Sequence, residues 1–252
     1  MYTINDVLTQ LETIIADCRN RSSAMGYFPA LYYNMTVAVR DGILNGRFED
    51  GARMERLDVI FAQRYLDAYA ARRAGQPTTL AWNAAFDAAD ADEISVLQHL
   101  LLGINAHINL DLGIAAAETC PGASIWGLQR DFDTINVLIS DLTEQVQNRL
   151  SDICPPLGFL DAALKTQDEG IADFSILVAR KTAWHTALGL AFLEGTARDY
   201  FLRDIDEGVS QFAERLSHPK GWVLRSTLRV IRFSELGDTV EKMDHVRHLN
   251  LP

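Results

Sequence analysis

The chain has 252 residues, of which 48% are hydrophobic and 23% are charged, and this composition suits a globular fold with a sizeable core. It excludes a disordered or collagen-like chain. The 23 basic and 34 acidic residues give a net charge of -11, which repels phosphate backbones. We therefore expect no nucleic-acid partner.

Apolar residues recur at helical spacing along the chain, and no segment alternates as a strand would. The first helix, for example, carries Ile4, Val7, Leu8 and Leu11 on one stripe. The predicted helical segments, in chain order, are 4–18, 27–44, 53–73, 80–89, 92–118, 126–150, 168–194, 197–216, 219–233 and 236–249. The sequence predicts an all-α fold, a single bundle of about eight to eleven helices spanning residues 1–252.

Breaker residues mark the ends of these helices. Asn45-Gly46 ends the second helix, and Gly75-Gln-Pro77 ends the third. The strongest internal breaker is Cys154-Pro-Pro-Leu-Gly158, which predicts a subdomain hinge near 154–158. Ser217 stands where it could cap the helix that begins at Pro219.

Composition also leads to an expectation about location. The three cysteines, Cys18, Cys120 and Cys154, are far apart and form no CxxC pair, which fits a reducing compartment. The first residues lack the pattern of a signal peptide. The purely apolar stretches are far shorter than the roughly 20 residues that cross a bilayer. We expect a soluble cytoplasmic protein without a membrane partner; its oligomeric state is left open.

The most unusual segment is 98–111, because polar side chains interrupt a helix that is otherwise apolar around most of its circumference. These side chains are Gln98, His99, Asn105, His107, Asn109 and Asp111. At about 100° per residue, His107 and Asp111 share one face, whereas Gln98, Asn105 and Asn109 share another. Buried polar groups need partners, so this helix indicates a network or a site.

His107 and Asp111 have two interpretations. An imidazole and a carboxylate at positions i and i+4 can bind one cation, as in helical metal sites. The alternative is a buried histidine held by the carboxylate one turn away. His185, which interrupts the apolar run 176–193, could bring a second nitrogen to the same metal or could be a core histidine.

Asp58 is the second candidate, because it shares a helix face with aromatic residues. It could be a metal ligand, a general base with a raised pKa, or the acceptor for a buried arginine such as Arg53 or Arg64. The motifs GxSxG, GxxxxGK[ST], GxGxxG and HExxH are absent, which weighs against serine hydrolases, nucleotide binding and zincin-type peptidases.

A cationic stripe lies near the C-terminus. Between Arg215 and Arg232 there are five basic residues and no acidic one, with Arg225, Arg229 and Arg232 at i, i+4 and i+7. The stripe could bind an anionic partner, or it could be a counter-surface for the acidic remainder of the same chain.

Four segments carry a family resemblance. They are Gly26-Tyr-Phe-Pro-Ala-Leu-Tyr32, Leu57-Asp-Val-Ile-Phe-Ala62, Asn105-Ala-His-Ile-Asn-Leu-Asp-Leu112 and Ala183-Trp184. On these segments the chain resembles the domain of unknown function 5995 family over most of its length. Members of that family often carry a His before the Asp and a Pro after the Leu, where this chain has Leu110 and Gly113. The resemblance implies no reaction, but it implies these motif positions: Asp58, Asn105, His107, Asn109, Asp111 and Trp184.

Two hypotheses from different classes follow. The first is metal-assisted hydrolysis of a small polar substrate inside the bundle, in which Asp58 or Glu55 takes a proton from metal-bound water. Its catalytic residues are Asp58, His107 and Asp111, its divalent-metal ligands are these three with His185, and its substrate contacts are Asn105, Asn109, Arg53 and Trp184. The second is a non-catalytic binding or scaffold protein whose Asn, His and Asp residues form a buried network.

Overall fold

A computed structural model describes residues 2–91, 94–138, 153 and 176–248, and these residues form helices without any strand. The all-α prediction is confirmed, with about ten helices. The α-helices are α1 (Ile4–Asn20), α2 (Tyr27–Leu44), α3 (Gly51–Arg73), α4 (Leu80–Ala91), α5 (Val96–Ile104), α6 (Gly113–Thr119), α7 (Ile176–Phe192), α8 (Gly195–Ser217), α9 (Trp222–Ser234) and α10 (Thr239–Arg247). Residues 129–138 are also helical.

Local sequence explains where these helices begin and end. Thr3 and Ser95 form capping boxes at the starts of α1 and α5. The predicted bounds of α2 are confirmed, and Gly46 and Gly75 take positive φ just after α2 and α3. The predicted cap at Ser217 is wrong: its hydroxyl donates to Ala213 O at 3.1 Å, and Gly221 precedes α9 without a side-chain cap.

The predicted hinge near 154–158 lies outside the described residues, as do the end of the predicted helix 126–150 and the start of the predicted helix 168–194. At the start of the predicted helix 126–150, Gly122–Leu128 is a 3-10 helix that leads into the helical residues 129–138. Ile153 is buried, and its carbonyl oxygen accepts a hydrogen bond from Leu236 N at 2.9 Å.

The central helix runs without a break from Val96 to Thr119, through α5, a π-helix at Asn105–Leu112, and α6. By length and composition this is the one helix among the described residues that could cross a membrane. However, 78% of its apolar window is buried inside the fold, as in the core helix of a globular bundle.

The other helices surround the central helix. Helix α7 packs on α6 and the π-helix, α8 packs on α4 and the π-helix, and α3 packs on α6. Helix α10 closes the other side by packing on α2 and α1: the Asn34 amide donates to Val246 O at 3.3 Å, Met243 is fully buried, and Arg19 pairs with Asp244.

Gly113 sets the distance between the central helix and α7. A Cβ at this position would lie 2.7 Å from Thr186 Cγ2 and 2.9 Å from the backbone oxygen of Ala183. Since a backbone oxygen within a helix cannot rotate aside, the two helices could not keep their present spacing with any larger residue at position 113.

We predict that Gly113→Ala destabilises the fold by about 1–3 kcal/mol, because α7 must move away from the central helix. Gly208→Ala is the matched control: Gly208 is a helical residue with nothing within 4 Å of its added Cβ. The control should gain up to about 1 kcal/mol from helix propensity. Urea unfolding followed by circular dichroism measures both, and equal effects would contradict the close approach at Gly113.

Candidate functional site

The carboxylate of Asp111 joins three helices in the interior. Arg64 Nε of α3 donates to Oδ1 at 2.8 Å, and Trp82 Nε1 of α4 donates to Oδ2 at 2.8 Å. His107 Nδ1, on the same π-helix, lies 3.4 Å from Oδ2. Both carboxylate oxygens are therefore engaged, one of them by a cation, as a buried carboxylate requires.

Gln98, Asn105 and Asn109 form a second polar stripe of the central helix, and this stripe faces α8. As predicted, its direction differs from that of His107 and Asp111. Gln98 Nε2 donates to Leu216 O at 2.9 Å, and Asn105 Nδ2 donates to Val209 O at 3.0 Å. Asn109 Nδ2 donates to Asn105 Oδ1 at 2.8 Å. These amides satisfy each other and the backbone, so they fix how α8 lies along the central helix.

His107 stands in an enclosure of aromatic rings. Phe61 stacks on its ring at 3.6 Å between centroids with an interplanar angle of 10°, and Tyr32 meets it edge-on at 4.4 Å. Phe28, Tyr65 and Trp82 complete the enclosure. Burial lowers the pKa of His107, an effect that its contact with Asp111 partly opposes, so the ring is neutral at pH 7.

The contact with Asp111 favours one tautomer of this neutral ring. Because both Asp111 oxygens accept hydrogen bonds, from Arg64 and Trp82, the contact favours the tautomer in which Nδ1 of His107 carries the hydrogen that points to Oδ2. Nε2 is then a bare acceptor. It is buried and has no hydrogen-bond partner.

Asp58 is buried on α3, with a relative exposure of 7%, and its Oδ2 has no hydrogen-bond partner. Burial, with a smaller contribution from the charge of Glu55, raises the pKa of Asp58 from 3.8 to about 8. The group is therefore a carboxylic acid at neutral pH, with a proton that it can donate. The interpretation of Asp58 as the acceptor of a buried arginine is wrong, because Arg53 bonds Asp131 and Arg64 bonds Asp111.

Tyr32 connects these two groups. Its ring contacts His107. Burial and then the nearby charge of Asp58 raise the pKa of its phenol, an effect that the nearby Thr36 side chain partly opposes. Its Oη also has no hydrogen-bond partner. We define the unpartnered trio as Asp58 Oδ2, His107 Nε2 and Tyr32 Oη, three buried atoms without a hydrogen-bond partner. Each such atom costs about 1–3 kcal/mol when it stays unsatisfied.

The remaining predicted site residues lie elsewhere. Arg53 donates to Asp131 at 2.7 Å, next to the start of α3, and Trp184 packs on Phe132 at 5.1 Å in a separate part of the core. His185 is exposed on α7, on the opposite side of that helix from its buried neighbours. Among the described residues, no three His, Cys, Asp or Glu side chains stand close enough to hold a metal.

None of the five aromatic residues of the enclosure was predicted from the sequence as a site residue. Phe61 and Tyr32 stand in the family-like segments 57–62 and 26–32, so the resemblance was a signal for them. Trp82 had no such signal, because one tryptophan in a short apolar helix looks like any core residue.

The fold and this cluster define an all-helical bundle whose central helix carries a buried polar site on a π-helix, a feature that is rare and is often found at functional sites. The comparison with family models identifies the family. The chain belongs to a family of unknown function (DUF5995), whose model matches residues 4–219, and this confirms the resemblance. No curated protein and no solved structure matches the chain.

We predict that Asp111→Ala costs about 3 kcal/mol of unfolding free energy, because Arg64 and the Trp82 indole lose their acceptor inside the fold. Asp87→Ala is the matched control, since Asp87 pairs with Arg72 on the surface and its loss should cost less than about 1 kcal/mol. Chemical unfolding of both variants decides the point. If both variants lost a similar amount of unfolding free energy, Asp111 would not be holding α3 and α4 to the central helix.

A second prediction concerns pH. Since the folded state holds the Asp58 proton more tightly than the unfolded chain, this stabilisation is complete below about pH 4. It is lost as pH rises from about 4 to about 8, by up to about 1.4 kcal/mol per unit. Asp58→Asn has no proton to lose, so its stability relative to wild type should rise across that range.

Urea unfolding at steps between about pH 4.5 and pH 9 measures this difference. Comparing the two proteins at each pH cancels the contribution of His107, which is common to both. Asp67→Asn, an exposed position on the same helix, is the control and should track wild type. A pH-independent difference between Asp58→Asn and wild type would show that Asp58 is not a buried acid.

Proposed function

We propose that this protein binds a small, neutral, polar molecule at the unpartnered trio. The observation that carries the proposal is that Asp58 Oδ2, His107 Nε2 and Tyr32 Oη, on three helices, are buried without a hydrogen-bond partner; among the described residues Tyr2 Oη, Arg53 Nε and Tyr65 Oη share this property. Native folds seldom keep such atoms unless a water, an ion or a ligand completes them. The position of His107 on a π-helix supports the same conclusion.

The chemistry of the trio selects the ligand class. His107 Nε2 accepts a hydrogen bond, the protonated Asp58 donates one, and Tyr32 donates another. A ligand with both a donor and an acceptor, such as a primary amide or an alcohol, complements this set. A charged ligand would lose its hydration without gaining a counter-ion. Aromatic rings on several sides give it apolar walls, as in most small-molecule sites.

The ligand must also be small. Three rings that contact His107, those of Phe28, Tyr65 and Trp82, line a partly open cavity of about 20 Å³ that lies beside the trio and is not lined by it. This volume holds about one water molecule. The rings of Phe61 and Tyr32 pack directly on His107, so only a molecule of a few heavy atoms can reach Nε2, by turning the partly buried Phe61.

Metal-assisted hydrolysis stays a prediction without support from this geometry. Asp111 already accepts from the Arg64 guanidinium, whose positive charge 2.8 Å away opposes a second cation. His185 is exposed and does not reach the interior. The residues present do not fit a divalent metal, and no reaction step is assigned to one.

The non-catalytic scaffold is the second candidate, and the amide stripe favours it. Gln98, Asn105 and Asn109 have partners, and Asp111 is saturated. These contacts specify helix register without any ligand. Only the unpartnered trio separates the two candidates, so the test is directed at the trio.

The test uses acetamide and ethylene glycol as neutral probes and acetate as a charged probe of similar size. Ligand-observed NMR and thermal unfolding should show roughly millimolar binding of the neutral probes to wild type and none of acetate. His107→Phe keeps an aromatic ring but removes Nε2, and Asp58→Leu removes the acid; both should lose most of the binding. Asp67→Asn should bind like wild type.

Two outcomes would contradict the proposal. Neutral probes that fail to bind wild type, or that bind the folded His107→Phe and Asp58→Leu variants equally, would leave the scaffold as the better explanation. Near-stoichiometric metal in wild type, measured by elemental mass spectrometry and lost in Asp111→Asn, would instead favour the metal hypothesis.

A further inference from the structure

Helix α9 has one buried face and one unusually apolar exposed face. Leu224, Leu228 and Ile231 pack into the core. On the opposite side, Trp222 is 74% exposed and Phe233 is 87% exposed. These two large rings stand near the two ends of one helix face, about 16 Å apart along its axis.

Basic residues lie on the same face. At about 100° per residue, Arg229 and Phe233 both fall within about 20° of Trp222 around the helix, and Arg225 falls about 60° away. Arg225 and Arg229 are exposed. We call Trp222, Arg225, Arg229 and Phe233 the cationic–aromatic face.

Some arginines of this acidic chain have carboxylate partners, and others, including the exposed Arg47, Arg56, Arg203 and Arg215, have none among the described residues. Arg72 pairs with Asp87, Arg130 with Glu49, and Arg247 with Glu12. Within the part of the chain that the structure describes, no carboxylate contacts Arg225 or Arg229, whereas Arg232, on the edge of the face, pairs with Glu235. The interpretation of the stripe as an internal counter-surface therefore does not account for Arg225 and Arg229.

We propose that the cationic–aromatic face is a docking surface for an acidic segment of another protein, with apolar side chains that cover Trp222 and Phe233. Charge complementarity selects the partner, because two arginines without counter-ions flank the aromatic rings. The apolar contacts supply the area and the carboxylates supply the orientation. This inference is independent of the interior site.

The observations favour a protein segment over an anionic bilayer. Arg229 lies in line with Trp222 and Phe233, so rings that entered a membrane would draw a charge in with them, which is costly. A protein partner can instead place a carboxylate opposite Arg229. A bilayer is also an extended plane that would face much of a chain with a net charge of -11, whereas a segment meets only the local positive field.

The experiment uses a synthetic helical peptide of about 21 residues with leucine on one face and glutamate on the other. Fluorescence anisotropy of the labelled peptide measures its binding to the whole chain. Wild type should bind it, with an affinity that falls about tenfold or more between about 50 mM and about 300 mM NaCl. A peptide with every glutamate replaced by lysine should not bind.

Two paired variants test the two components of the face. Arg225→Gln with Arg229→Gln, and Trp222→Ser with Phe233→Ser, should each weaken binding about tenfold or more. Because all four side chains are exposed, circular dichroism and the unfolding temperature should stay close to wild type. Arg47→Gln with Arg56→Gln is the matched control on exposed arginines elsewhere and should leave binding unchanged.

The proposal is overturned if the glutamate peptide fails to bind wild type, or if both paired variants bind it as wild type does. It is also overturned if the peptide does not bind but vesicles of phosphatidylcholine with phosphatidylserine do, and lose that binding in the paired variants. That result would make the face a membrane-docking surface.

Discussion

The buried carboxylate of Asp111 is the interaction on which the rest of the interior depends. It lies on the central helix and accepts hydrogen bonds from Arg64 of α3 and Trp82 of α4. One carboxylate therefore fixes how three helices lie relative to one another. Three donors compensate the desolvation of one charge, which is the condition under which a fold tolerates a buried carboxylate. The same group favours the tautomer of His107 in which the unpartnered Nε2 is an acceptor.

The π-helix brings the residues within each polar stripe closer to one line along the central helix. Its hydrogen bonds run from i to i+5, so each turn is wider than in an α-helix, and residues four apart come closer to alignment. His107 then stands over Asp111 on the side of α3 and α4, while Asn105 and Asn109 face α8. The π-helix, Asn105–Leu112, is the same segment that carries the family motif. The irregular backbone and the polar side chains therefore occur in the same residues.

Much of this fold could be predicted from local patterns. The bounds of α2 follow from its apolar spacing and from Asn45-Gly46, and these signals act within a few residues. The two directions of the polar stripes followed from helical phase. The π-helix did not, because a wider turn is a response to packing that no short motif encodes. The side of α7 that faces the core could not be predicted either: His185 interrupts an apolar run, yet it lies on the exposed side.

The partners of charged residues were the hardest part to predict. Arg53 and Arg64 both stand on the helix of Asp58, yet each reaches a carboxylate on another helix, Asp131 and Asp111. Which helices approach each other is a tertiary property, and no spacing along α3 contains it. Asp58 was recognised from its aromatic surroundings, but its lack of any partner is visible only when every neighbour is in place.

The packing of α10 shows that the family match and the folding unit have different boundaries. The match ends at residue 219, but Met243 fills the space beside Gly26, and Val246 supplies the acceptor for the buried amide of Asn34. The last helix thus covers the first two, and the two ends of the described chain lie against each other. A fragment trimmed to the matched residues would keep every motif and still expose part of the core that those motifs need.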